Sequence, residues 1–206
     1  TPNVPFTMGL EVAGTITTIG PNTKSPKIGT RVTVFAGQGG LAEYGYFPAE
    51  RLIEIPDKMP SEVAAGFQVA YGTSHLALKH CAGLKKNNTL LVLGAAGGVG
   101  LTAVELGKYF GAQVLAAARG KEKLKIAQEF GADVLIDTNT DNLVEVVKSL
   151  GGADVVYDPI GGELFKEAMR ACKPEAKILT IGFASGDIPL IAACLLYTSP
   201  SPRDFV

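Results

Sequence analysis

Residues 90–110 constrain the fold most. Four apolar residues, Leu90-Leu91-Val92-Leu93, run straight into Gly94-Ala95-Ala96-Gly97-Gly98-Val99-Gly100, and a helical pattern continues to Phe110. A short, unbroken apolar run fits a strand covered on both faces. The glycines fit a tight turn into a helix. The string Ala95-x-Gly97-x-x-Gly100 is the A-x-G-x-x-G form of the dinucleotide fingerprint, with Ala95 in place of the first glycine. Gly97 would let backbone approach a pyrophosphate, and Gly100 would let helix pack closely on strand. The helix start supplies N–H groups without intrahelical partners and a positive dipole end, both of which favour phosphate.

The segments that follow keep the same rhythm. Strands are expected at Val114–Ala118, Val134–Ile136, Val155–Tyr157 and Ile178–Ile181, with helices at Gly98–Phe110, Lys121–Phe130, Leu143–Leu150 and Glu163–Cys172. Such alternation implies parallel strands joined by right-handed crossovers. A flavodoxin-like sheet would alternate in the same way, and it is the glycine turn that separates the two. Residues 1–60 differ. Glu11–Ile19, Arg31–Phe35, Ala42–Phe47 and Leu52–Ile55 read as short strands between Gly and Pro turns. Residues 61–83 read as two helices capped by Ser61, broken near Tyr71 and ended by Gly83.

Composition removes several classes. A net charge of -1 gives no basis for a nucleic-acid or anionic-membrane partner. No apolar run reaches the roughly 18 residues of a membrane span. Cys81, Cys172 and Cys194 are scattered and odd in number, which suits a reducing, cytoplasmic setting rather than a disulfide framework.

The end of the second parallel strand bears on the cofactor. An NAD site usually places Asp or Glu there for the ribose hydroxyls. Here the strand ends Ala116-Ala117-Ala118-Arg119, with Lys121 and Lys123 following and Glu122 expected to be the only nearby acid. Arg119 can pair with a 2′-phosphate that a carboxylate would repel, so NADP(H) is expected. The plainer reading is a solvated, basic helix start.

The chain resembles the zinc-free quinone oxidoreductase (zeta-crystallin-like) branch of the medium-chain dehydrogenase/reductase superfamily. The resemblance lies in Pro5-Phe6-Thr7-Met8-Gly9-Leu10-Glu11-Val12-Ala13-Gly14, Gly39-Gly40-Leu41-Ala42-Glu43-Tyr44 and Ala70-Tyr71-Gly72-Thr73-Ser74-His75-Leu76-Ala77-Leu78. It continues in the glycine turn, in Asp158-Pro159-Ile160-Gly161-Gly162 and in Ile181-Gly182-Phe183-Ala184-Ser185-Gly186. It implies an α/β fold: a partial GroES-like β domain (1–60), a helical connection (61–88) and an incomplete Rossmann domain (89–191) with strand order 3-2-1-4-5. It also implies that the chain is a piece cut at both ends, inactive and aggregation-prone by itself, from a full-length homodimer. Cys194 to Asp204 looks like a translated sequencing adapter, so 192–206 is expected to be a non-native tail without regular structure, leaving the last strand as a bare sheet edge.

The resemblance implies cofactor positions as well. Tyr71 and Thr73 match residues beside the nicotinamide. Ala96, Gly97, Gly98 and Val99 match the pyrophosphate turn, and Arg119 and Lys123 the 2′-phosphate neighbourhood. Gly162 and Thr180, Ile181, Gly182 and Phe183 match contacts at the ends of strands four and five. Two positions depart from the pattern: Thr138 stands where Tyr or His is frequent, and Met8 where Pro is usual. Leu10 stands where zinc-dependent relatives carry a ligand, and His75 and His80 are five apart rather than four, so no metal is expected. Glu11, Glu43 and Asp158 are read as structural carboxylates, and no residue stands out as proton donor. The implied reaction is hydride transfer from NADPH to a small quinone or α,β-unsaturated carbonyl. An enoyl-thioester (enoyl-CoA) reductase and a non-catalytic nucleotide-binding structural protein are the alternatives.

Overall fold

The computed structural model describes residues 4–191. The expectation for the segment after Ile191 lies outside the described residues. The chain divides into two compact units, one up to Thr73 and one from Ser74 on.

The first unit holds a small antiparallel sheet in the order β1-β2-β3: β1 Glu11–Thr15, β2 Arg31–Phe35 and β3 Ile53–Glu54. The β1–β2 ladder runs from Glu11 opposite Phe35 to Thr15 opposite Arg31. Val32, Val34, Ile55 and Ala64 form its buried apolar set. Thr33, also buried, is held by polar partners: its hydroxyl lies 3.0 Å from the Ala64 carbonyl and accepts from Gln68 Nε2 at 3.2 Å.

Four expectations for this unit fail, each for a local reason. The first strand stops at Thr15 instead of Ile19, because β2 offers only five rungs. Residues 42–47 form no strand. Alternating composition makes a strand only where a partner backbone pairs with it, and among the described residues none does. Tyr44 and Tyr46 stand exposed there. The helical segment breaks at Gly66, between α1 (Ser61–Ala65) and α2 (Phe67–His75), so Tyr71 and Gly72 lie inside a helix. Ser61 is the first helical residue after Pro60 and not the cap. Its hydroxyl accepts from Arg31 Nη2 at 3.1 Å, and the same guanidinium donates to the Asp57 and Met59 carbonyls.

The second unit carries a five-stranded parallel sheet, β6-β5-β4-β7-β8. Its strands are β4 Thr89–Leu93, β5 Gln113–Ala118, β6 Val134–Asp137, β7 Ala153–Asp158 and β8 Cys172–Thr180. Numbered within the sheet, this is the expected 3-2-1-4-5. Helices α3 (Gly98–Tyr109), α4 (Lys121–Glu129), α5 (Leu143–Ser149) and α6 (Gly162–Arg170) connect the strands. Strand β4 explains its own sequence. Leu90 and Val92 enter one core with Ala103 and Val104 of α3, while Leu91 and Leu93 enter the opposite core with Leu143, Val147 and Ala168 of α5 and α6. With both faces covered, alternation has no place, and each buried aliphatic side chain contributes about 1.5–3 kcal/mol. The last strand begins at Cys172, earlier than expected. Its register with β7 slips between Ala153 and Val155, where Glu175 takes φ +63°. Among the described residues nothing pairs with its outer edge.

Phe165 of α6 is fully buried. Phe165→Ala is expected to cost about 3–5 kcal/mol, read as a drop in the midpoint of a urea unfolding curve at unchanged slope.

Candidate dinucleotide site

The candidate site lies at the C-terminal ends of four adjacent strands. β4 lies between β5 and β7, so the connections leaving β4 and β7 turn to opposite sides at that point. Open parallel sheets bind ligands at such a switch.

The turn after β4 is fixed by backbone. Gly94 takes φ +57°, Gly97 N–H donates to the Gly94 carbonyl at 2.9 Å, and Ala95 N–H donates to the Ala117 carbonyl at 3.1 Å. A Cβ on Gly100 would lie 2.9 Å from Ala95 Cα and still closer to the Gly94 carbonyl oxygen. Only glycine lets α3 start so close to the turn. Leu101 N–H is the first to bond back, to the Gly97 carbonyl at 2.8 Å. The N–H groups of Gly98, Val99 and Gly100 therefore have no backbone acceptor among the described residues. Gly97 and Gly98 are exposed, Ala96 and Val99 half-buried. The turn is open to an anion at Gly97 and Gly98, while Gly100 is buried.

At the end of β5, Arg119 and Lys123 are exposed, with Lys121 between them. An acid not adjacent in sequence stands here too. Asp137, the last residue of β6, is in register with Ala118, and its carboxylate accepts from Gly120 N–H at 2.9 Å and Asn139 N–H at 3.0 Å. The expectation that Glu122 is the only acid near this strand end is corrected. Register across the sheet brings in a residue 18 positions after Arg119. The signal was its place as last residue of the third strand, beside the second. The Gly120 and Asn139 hydrogen bonds, with Lys121 nearby, hold the Asp137 carboxyl below the ordinary aspartate value of 3.8.

At the end of β7, Asp158 is buried and accepts from Ile160 N–H (2.7 Å) and Gly161 N–H (2.9 Å), which makes it the organiser of that turn. Ile181 N–H donates to the Asp158 carbonyl at 2.8 Å and Gly182 N–H to the same oxygen at 3.3 Å, tying the end of β8 to that of β7. Gly162 is buried under 185–187: its N–H donates to the Asp187 carbonyl, and Ser185 Oγ fills the space beside its Cα. Thr180 and Phe183 are exposed.

The structure thus gathers Ala96–Val99, Arg119, Lys123, Gly162 and Thr180–Phe183 on one end of one sheet. Tyr71 and Thr73 belong to the first unit, on α2, where the Tyr71 ring stacks on Phe67 with centroids 4.6 Å apart. Glu11 Oε2 accepts from Val69 N–H at 3.0 Å, a structural use of that carboxylate. His75 and His80 are closer than their spacing suggested. Leu76–Cys81 is a π-helical turn, which returns to the same side after five residues, and the rings meet edge-on at 5.5 Å.

Comparison with known proteins settles the family. The Zinc-binding dehydrogenase family matches residues 98–204, and the Alcohol dehydrogenase GroES-like domain matches residues 1–57. The Quinone oxidoreductase-like protein 2 homolog of Nematostella vectensis is 40% identical over 95% of the chain and 54% of its own length. The chain belongs to the quinone oxidoreductase (zeta-crystallin-like) branch of the medium-chain dehydrogenase/reductase superfamily. It spans about half the length of the curated relatives it matches. Two solved structures of quinone oxidoreductase type agree in fold. The Escherichia coli quinone oxidoreductase complexed with NADPH superposes with TM-score 0.88 at 26% identity, over 95% of this chain and 61% of that one. A mycobacterial protein complexed with NADPH gives 0.86 at 31% identity, over 95% and 62%. The match to a zinc-binding family raises the question of donors. Among the described residues no group of three His, Cys, Asp or Glu is placed to hold an ion. No helix among the described residues is long and apolar enough to cross a membrane.

With its folded pKa depressed, ionised Asp137 stabilises the fold above the ordinary value of 3.8, and that contribution disappears as pH falls through the folded pKa. Wild type is expected to exceed Asp137→Asn in stability at pH 7, with the gap closing below pH 3.8 in urea titrations. A gap that does not change with pH would contradict this assignment.

Proposed function

We propose that this chain carries the nucleotide-binding half of an NADPH-dependent reductase. Its substrate is a small quinone or α,β-unsaturated carbonyl, and it works without a metal. One observation carries the reading: three N–H groups at the start of α3, without backbone acceptors, beside exposed Gly97 backbone, with an exposed cationic strand end next to them. This arrangement fits a dinucleotide, and the NADPH complexes of the similar quinone oxidoreductases support the choice.

The roles follow from chemistry. When bound, NADPH would supply the hydride; the protein contributes binding, orientation and exclusion of water. The Gly98, Val99 and Gly100 N–H groups would hold the pyrophosphate, aided by the dipole of a twelve-residue helix. Arg119, with Lys123 near, would take the 2′-phosphate through its planar fork. Asp137 would keep the Gly120 amide in place so that Arg119 leaves the strand at a fixed angle. Tyr71 and Thr73 would serve the nicotinamide end, and Thr180–Phe183 the strand ends. No described side chain stands out as proton donor.

The direct test is NADPH oxidation by the complete protein with a quinone, an enone and an enoyl-CoA as acceptors. Turnover of the first two but not the third is expected, and turnover of the thioester alone would replace this reading. NADPH is expected to bind at least about tenfold more tightly than NADH, about 1.4 kcal/mol. Arg119→Ala should erase most of that gap in calorimetry, and equal affinities in wild type would refute the 2′-phosphate assignment. Activity is expected to survive a strong chelator, with no stoichiometric zinc by elemental analysis. A tightly held zinc would overturn the metal-free mechanism.

A further inference from the structure

Beneath the glycine turn, three hydroxyls that the reading above does not use form a buried chain. Ser74 Oγ lies 2.8 Å from Tyr157 OH and 2.8 Å from Thr102 Oγ1. Both Ser74 Oγ (3.2 Å) and Thr102 Oγ1 (3.0 Å) are within donating distance of one acceptor, the Val99 carbonyl. All three residues are buried: Ser74 at the end of α2, Thr102 in α3 and Tyr157 in β7.

The Val99 carbonyl can only accept, and Ser74 Oγ and Thr102 Oγ1 both donate toward it, so the chain ends at Val99. Within this group the Tyr157 hydroxyl reaches Ser74 Oγ. Burial raises the Tyr157 pKa, so its O–H stays a donor.

The end of the chain matters because a peptide group has two ends. The Val99 carbonyl and the Gly100 N–H belong to one peptide unit, and that N–H is among the three without a backbone acceptor among the described residues. Hydrogen bonds donated to a carbonyl strengthen the N–H of the same unit and fix its plane.

We propose that Tyr157, Ser74 and Thr102 are positioning residues for dinucleotide binding: their hydroxyl chain fixes and polarises the Val99–Gly100 peptide that holds the pyrophosphate. The proposal rests on the reading that this turn binds pyrophosphate. Its chemistry is specific. It concerns a ligand's pyrophosphate and not its 2′-phosphate, so ligands that share only the second should not sense it.

That difference supplies the test. In the complete protein, calorimetry compares NADPH with adenosine 2′-monophosphate, which lacks the pyrophosphate. Ser74→Ala and Thr102→Val should each weaken NADPH about threefold, and the double variant about tenfold, with the monophosphate within about twofold of wild type. Thr102→Ser, which keeps the hydroxyl, should bind NADPH like wild type. If the double variant does not melt cooperatively, Tyr157→Phe replaces it, with about threefold loss on NADPH alone. A folded double variant that binds NADPH as wild type does would overturn the proposal, as would one that loses both ligands equally. Wild-type protein that fails to bind NADPH would overturn the pyrophosphate reading and the hydroxyl chain with it.

Discussion

The close approach of α3 to the end of β4, at Gly100 against the Gly94 carbonyl, governs the geometry of the second unit. β4 is buried on both faces and forms the middle of the sheet, so its end cannot shift without disturbing both cores. A helix started there has one place to begin. Because Gly100 has no side chain, the first N–H groups of α3 open at the switch point rather than a residue further away. The two neighbouring strand ends are then set relative to this turn: Ala95 bonds to the end of β5, and Ile160 packs beside Gly94 from the end of β7.

Electrostatics arise from the same scaffold. The backbone supplies positive partial charge at the start of α3, and Arg119, Lys121 and Lys123 supply full charge at the neighbouring strand end. Asp137 interrupts that basic field, yet two backbone amides hold its charge, so it organises the Gly120 corner. On the other side of β4, at the end of β7, Asp158 does the same for its own turn by accepting from Ile160 and Gly161. Carboxylates at two strand ends are thus committed to shaping turns, which leaves the cations facing outward.

Much of the second unit was legible in the sequence because its signals are local. Leu90–Leu93 is continuous since both faces are covered, and Gly97 and Gly100 sit in the turn that their spacing announced. What was not legible depends on partners distant in sequence. The run 42–47 has strand composition, but no described strand pairs with it. Asp137 reaches Gly120 only through register across the sheet. His75 and His80 meet only because the backbone adopts a π turn, which side-chain spacing on an α-helix does not anticipate. Ser74 gave no sign of its role, since a lone serine in a helix pattern says nothing about a tyrosine 83 residues later.

The central claim is that backbone N–H groups at the start of α3 receive the pyrophosphate of a dinucleotide. Amide resonances followed by proton–nitrogen correlation spectra during NADPH titration test it most directly. The largest shifts are expected at Gly98, Val99 and Gly100, with Arg119 moving alongside and Phe165 of the distal core still. Saturable NADPH binding that leaves those three amides unmoved would contradict the account.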